Sequence, residues 1–341
     1  MLSDELSAAV EQCARRPDDP LDVWVRPYAG APDGPQDPDA VQLLVMLKPE
    51  LTGSPAAISR VLDLLADADV ELAGARVLSS AYLAEHNVLS HQYGTLWTVS
   101  HQGLASVPAA ARDQLFARFP EVRDAPERVA GGHEFLARTP EFSAFALEVL
   151  TRNVPVHKLG AGVYAIRVVI DGEEWVLLNP FHPCQVGHFT APGGAIAVLE
   201  AHSHRRLPDL RANTIGATDP RDAVPGSIKR VLLDEQDKLG LTQVCTRRNC
   251  VHISPTVVEA VASLRRYFSE PGQTIPVEKT VFGARLLEAG FAAADVEALA
   301  GNPEVDLRGL RGPVFEVTEN MDVTEAFEFT VALLTEQRAA A

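Results

Sequence analysis

Val41-Gln-Leu-Leu-Val-Met-Leu-Lys48-Pro-Glu50 is a nearly unbroken apolar run that ends in Lys-Pro, and Ser54-Pro55 follows it. Such a run reads as a buried strand entering a loop. Ser54 has the chemistry of a helix cap, and Pro55 falls at the first helical position, where its missing amide costs nothing. Ile58, Val61, Leu62 and Leu65 then give one apolar stripe at helical spacing. Residues 70–79 resume strand character, and 81–90 read as helical. The stretch 41–90 is therefore strand–helix–strand–helix.

Outward from this stretch the organisation changes. On the N-terminal side a helix is expected over 4–15 and a short strand over 22–28. Gly30-Ala-Pro-Asp-Gly-Pro-Gln-Asp-Pro-Asp39 is dense in turn formers and reads as a linker, so 1–40 is taken as an appendage. On the C-terminal side, 94–192 reads as an inserted subdomain. It has helices over 109–118 and 141–152, then a hairpin, 163–170 and 175–178, turned by Asp171-Gly172. A strand at 195–200 follows the Pro192-Gly-Gly194 turn, and a strand at 250–253 leads into a helix at 255–268. The remainder, 269–341, is expected to be a helical extension, with helices over 281–289 and 292–299, a strand at 314–317 and an acidic final helix.

The 341 residues are enough for a large buried core. Forty-six acidic residues against 30 basic give a net charge of −16, a field that repels phosphate backbones and argues against nucleic acid as a partner. No apolar stretch approaches the length of a membrane span. Four cysteines without a CxxC or a disulfide-type spacing point to a reducing, cytoplasmic setting. His182-Pro-Cys184 with His188, His202 and His204 holds metal-ligand residue types, but in no common zinc spacing, and no metal ligand is assigned. Arg205-Arg206 and Arg247-Arg248 read as solvated surface pairs.

Two segments carry chemistry. One is Leu44-Val-Met-Leu-Lys48-Pro-Glu50. The other is Asn213-Thr-Ile-Gly216-Ala-Thr218-Asp-Pro220-Arg-Asp-Ala-Val-Pro225-Gly226-Ser-Ile228, joined to Asn249-Cys-Val-His252-Ile-Ser254. In this order they resemble the nucleoside-diphosphate kinase family, over 41–93 and 193–268. The resemblance implies an α+β fold with a ferredoxin-like βαββαβ sandwich core, interrupted by the helix–hairpin insertion and followed by the helical extension. It implies a γ-phosphoryl group passed from ATP or another nucleoside triphosphate, with Mg²⁺, through a phosphohistidine to a nucleotide or small-molecule acceptor. His252 would be the nucleophile. Lys48 and Thr218 would hold phosphates, Arg211 and Lys229 would add positive charge, and Asn249 would bind the sugar and β-phosphate region.

The resemblance also implies a homo-oligomer, although the 230–248 segment is longer than the family's and leaves a dimer or monomer open. The site is altered. Lys229 stands where the family has an arginine, and Asn87 where it has an aromatic residue. Pro255 replaces an acidic residue. Ser263, eleven residues past His252, replaces the glutamate that orients the imidazole. Two other readings therefore stand beside the kinase: a nucleotide-binding protein used for sensing or assembly, and an enzyme performing nucleotidyl transfer or phosphate-ester hydrolysis at the same site.

Overall fold

A computed structural model describes the chain except residues 33, 35, 36 and 341, so part of the linker read at 30–39 lies outside the described residues. The protein is α+β. Its strands are β1 (Asp22–Arg26), β2 (Val41–Leu47), β3 (Glu71–Ser79), β4 (Val129–Gly131), β5 (His157–Gly160) and β6 (Val163–Ile170). They continue as β7 (Glu173–Leu178), β8 (Ala195–Ser203), β9 (Val251–Ile253), β10 (Glu304–Leu307) and β11 (Leu310–Pro313). The chain forms two compact units, one from Met1–Tyr82 with Pro192–Ala341, the other from Leu83–Ala191.

The first unit is built on a five-stranded sheet in the order β1-β3-β8-β2-β9, every neighbouring pair antiparallel. β2 is buried along its whole length, as a strand with neighbours on both edges and layers on both faces must be. Helix Pro55–Asp67 joins β2 to β3. Ser54 caps it by accepting from the Ala57 amide, and Ala57, Ile58, Val61 and Leu65 are its buried side. The segment read as an appendage is part of this unit. β1 forms the sheet edge beside β3, and helix Leu2–Arg15 buries Leu6, Ala9, Val10 and Cys13. Its apolar stripe, only four residues wide in sequence terms, is enough to dock it.

Two buried charges sit at the heart of this unit. Glu200 on β8 is fully buried and accepts bonds from the amides of Ala29 (2.7 Å) and Gly30 (2.9 Å), from Gln42 Nε2 (2.7 Å), and meets His202 Nε2 at 3.0 Å. Burial works against its charge, but these bonds outweigh it and hold the carboxyl below its usual range. Gly74 makes room for it: a Cβ there would stand 2.8 Å from Glu200 Oε2. Arg76 on β3, 1% exposed, pairs with Asp22 and donates to the carbonyls of Tyr267 (2.6 Å) and Ser269 (2.8 Å). The arginine thereby ties β1 to the end of helix Val257–Phe268.

Three sequence expectations shift locally. The helix expected over 81–90 breaks at Asn87, which takes a left-handed conformation (φ 47°) between helices Ser80–Glu85 and Val88–Gln92. The strand expected at 314–317 is a helical turn, Val314–Val317. The strand pairing falls upstream, in β10 and β11, around the left-handed Arg308-Gly309 corner. Pro313 explains the switch, since a residue without an amide ends a ladder and starts a helix comfortably. The extension over 269–341 is thus helical with one hairpin inside it.

The second unit, Leu83–Ala191 against the 94–192 read from sequence, has its own sheet in the order β4-β7-β6-β5. β4 and β7 are parallel and the other pairs antiparallel. Asp171 (φ 53°) and Gly172 (φ 79°) turn the β6–β7 hairpin, the two positive values that a tight two-residue turn requires. Separate apolar clusters form on its two sides, one around Val99, Leu115 and Val163, the other around Phe135, Leu147 and Ile166.

Candidate functional site

β9 is three residues long and its position is set by the turn before it. Cys250 adopts a left-handed conformation (φ 66°), its amide donates to Glu50 Oε1 at 2.9 Å, and its carbonyl accepts from the Lys48 amide at 2.9 Å. A non-glycine residue held this way is locally strained, and such strain concentrates at functional positions. The turn places Asn249 beside Lys48 and sets His252 opposite Met46 in the sheet.

Direct bonds join three segments that are remote in sequence. Lys48 Nζ donates to Asn249 Oδ1 at 2.6 Å, and Asn249 Nδ2 donates to the Thr218 carbonyl at 3.1 Å. Lys229, on helix Ile228–Asp234, donates to the Gly216 carbonyl at 3.3 Å. Gly216 takes a φ of 94°, and a Cβ there would stand 2.6 Å from Ser227 Oγ, so the loop closes on the helix only with glycine. Thr218 contributes its backbone, and the residue is exposed. Arg211 lies on a π-helical stretch, Leu210–Ile215, a geometry common near functional sites. Its guanidinium is bound to the Glu319 carbonyl and, at 2.6 Å, to Glu319 Oε1.

His252 is acted on by several positive charges. Burial, then the charges of Lys48, Lys229, Arg266 and Arg211, push its imidazole down to about 3. It is neutral at pH 7 and keeps its lone pair. Its Nε2 is buried without a hydrogen-bond partner among the described residues, so the exposure this half-buried residue retains lies elsewhere on it. The two lysines share the pressure. Burial lowers Lys48, and burial with the Lys48 charge lowers Lys229 to about 8. Both are about 8% exposed or less. In a chain of net charge −16, the charges that act on this uncharged base are all positive, and one of them, Arg211, is paired with Glu319.

Lys48, Thr218, Asn249 and His252 thus gather around one turn, and Lys229 and Arg211 join through the field they exert on His252. Sequence reading missed Arg266 and Glu259 of helix Val257–Phe268, and Glu319 from the C-terminal region. For Arg266 and Glu259 a signal existed: 259, 263 and 266 are spaced to share one helical face. Ser263 on that face is fully buried, and its Oγ has no partner among the described residues. Glu319 had no local signal, since only the path of the C-terminal segment brings it to Arg211.

The histidines singled out in the sequence separate. His202 bonds Glu200, and exposed His204 sits 3.6 Å from Asp37. His182 belongs to an aromatic group of the second unit, edge-on to His133 (ring centroids 5.5 Å) and Trp97 (5.6 Å). His133 stacks on His101 at 3.9 Å, and His101 on Trp97 at 4.2 Å. Burial is the main cause that pushes His182 down to about 4 and His133 to about 3. Among the described residues no group of three or more His, Cys, Asp or Glu side chains is arranged to hold a metal ion. No helix among them is long and apolar enough to cross a membrane. No protein-family model matches the chain, and no curated protein matches it in sequence.

Proposed function

We propose that the chain is a nucleotide-dependent phosphotransferase similar to nucleoside-diphosphate kinases, acting through phospho-His252. The observation that carries this reading is the bonded set Lys48–Asn249–Thr218 beside the turn that leads to His252, whose half-buried imidazole is acted on by the charges of Lys48, Lys229, Arg266 and Arg211. The order β3-β8-β2-β9, with helix Pro55–Asp67 between β2 and β3, supports a ferredoxin-like βαββαβ core entered by the insertion after β3. In the proposed reaction Nδ1 of His252 attacks the γ-phosphorus of ATP or another triphosphate. The bond from that phosphorus to the bridging oxygen breaks, and the diphosphate leaves with the electron pair. Lys48, Lys229 and Arg211 offset the charge on the equatorial oxygens, and Asn249 orients the ligand beside Lys48. Mg²⁺ enters as part of the triphosphate substrate. A nucleotide or small metabolite then takes the phosphoryl group from nitrogen.

The test is incubation with γ-labelled ATP and Mg²⁺. Acid-labile, alkali-stable label on the wild type, absent from His252→Ala, is the expected result. Nucleotide binding without label on the wild type would sink the phosphohistidine route. A second reading, nucleotide binding without transfer, draws on Arg211 being engaged by Glu319 and on the unpartnered Nε2 of His252. A base that nothing orients is a poor nucleophile. Release of pyrophosphate instead of γ-phosphoryl transfer would point to nucleotidyl transfer.

A further inference from the structure

We propose that Glu319 is an autoinhibitory carboxylate, occupying the Arg211 guanidinium until a phosphate-bearing ligand displaces it. The inference rests on the phosphate-binding reading above and concerns the regulation of that site. Arg211 meets Glu319 twice: Nη1 donates to the Glu319 carbonyl, and Nη2 donates to Oε1 at 2.6 Å. The second bond, from a guanidinium to an anionic oxygen, is the one by which arginine also receives phosphate.

Arg211 is joined to the candidate site by contacts. Its carbonyl accepts from the Gly216 amide at 3.0 Å, and the Gly216 carbonyl accepts from Lys229 Nζ at 3.3 Å. Two residues past Gly216, the Thr218 carbonyl accepts from Asn249, which itself accepts from Lys48. Leu210, Thr214 and Ile215 of the same π-helical stretch line a small cavity together with Ile253, the neighbour of His252 on β9. The backbone that carries Arg211 therefore bears on Lys229, on the Lys48–Asn249 pair and on the strand of the nucleophile.

Glu319 is presented by a pinned turn. Thr318 before it is fully buried and donates to the Val314 carbonyl at 2.8 Å, and its own carbonyl accepts from the Met321 amide at 3.1 Å. Asp322 accepts from Arg206 Nε at 3.3 Å and Nη2 at 2.9 Å, so one turn engages both arginines of 206–211. The carboxylate itself is free to leave. The Glu319 side chain is 46% exposed, and rotation about its own bonds carries the carboxylate into solvent with the turn left in place. A half-exposed pair holds weakly, so a multiply charged phosphate can take the guanidinium from it. The contact then acts as a threshold that any ligand must overcome before Arg211 contributes to binding.

The experiment is isothermal titration calorimetry of the full chain with inorganic pyrophosphate at pH 7 and low salt. Glu319→Gln removes the charge and keeps the backbone carbonyl that Arg211 also uses. The variant is expected to bind pyrophosphate about three- to tenfold more tightly than the wild type. In an Arg211→Gln background most of that gain should disappear, which a contact that merely ties down the C-terminal region would not produce. Equal affinities with intact binding would overturn the role of Glu319 and leave the phosphate site standing. An undiminished gain in the Arg211→Gln background would overturn it too, by showing general charge removal instead of occupation of Arg211. No binding by the wild type or by Glu319→Gln would overturn the phosphate site and the inference together. Should Glu319→Gln not fold, carboxyl NMR of the wild type decides. The Glu319 signal moves toward that of a free glutamate as pyrophosphate binds, and an unmoved signal with pyrophosphate bound refutes the proposal.

Discussion

Glu200 on β8 and His252 on β9 lie in one sheet, two strands apart, and solve the burial of an ionisable group in opposite ways. Around Glu200 four donors, two of them backbone amides, converge on one carboxylate, and glycine at 74 clears the space it needs. On His252 the charges of four cations act, and its buried nitrogen has no partner among the described residues. The first arrangement satisfies charge and hydrogen bonds together. The second holds like charges close and leaves polar capacity unused, which lowers stability. Burial is compensated by hydrogen bonds at one strand and left uncompensated at the other, a contrast on which the proposed function draws.

Breaking the first region has the largest expected effect. Glu200→Ala strands the amides of Ala29 and Gly30 together with Gln42, and is expected to cost about 3–5 kcal/mol in urea unfolding. His252→Leu removes a buried nitrogen that has no partner among the described residues, and is expected to be neutral or to stabilise by up to about 1 kcal/mol. Equal losses in the two variants would erase the contrast.

Acid sharpens the comparison next. A histidine whose folded value lies below its unfolded one contributes stability that is complete above pH 6.5 and lost as pH falls toward the folded value. His252, at about 3, and His182, at about 4, both meet that condition, so unfolding free energy should decline steadily from pH 6.5 to 4. At pH 5 the loss from His182 alone amounts to about 2 kcal/mol. His182→Gln should flatten the slope of urea midpoint against pH, and an unchanged slope would deny that His182 is held neutral.

The smallest effect belongs to the surface. Arg206 meets Asp322 at 2.9 Å, but its side chain is 61% exposed. Arg206→Ala should leave the urea unfolding midpoint unchanged within the error of the measurement. A loss as large as that of Glu200→Ala would show that solvated pairs here support the fold as much as the buried network does.

How far the sequence could be read follows from what each residue depends on. β2, the Ser54 cap and the Asp171-Gly172 turn depend on their immediate neighbours, and their apolar run, hydroxyl and turn dipeptide announce them. The motifs that carry Lys48, Thr218, Asn249 and His252 stand in order in the sequence, and direct bonds join Lys48, Asn249 and the Thr218 backbone. The 314–317 segment was misread because its apolar residues fit a strand or a helix equally, and the neighbouring hairpin took the strand role.

By itself the amino-acid sequence determined the strands, caps and turns that local chemistry dictates, and the loops that carry polar side chains toward His252. Only the tertiary structure decided that the N-terminal segment would become a sheet edge, that Arg266 and Arg211 would face one histidine, and that Glu319 would reach Arg211 from the C-terminal region. The physical reason is that hydrogen-bonded turns act over a few residues of chain, whereas burial and Coulomb forces act through space. Sequence distance carries no record of which charges end up acting on one another.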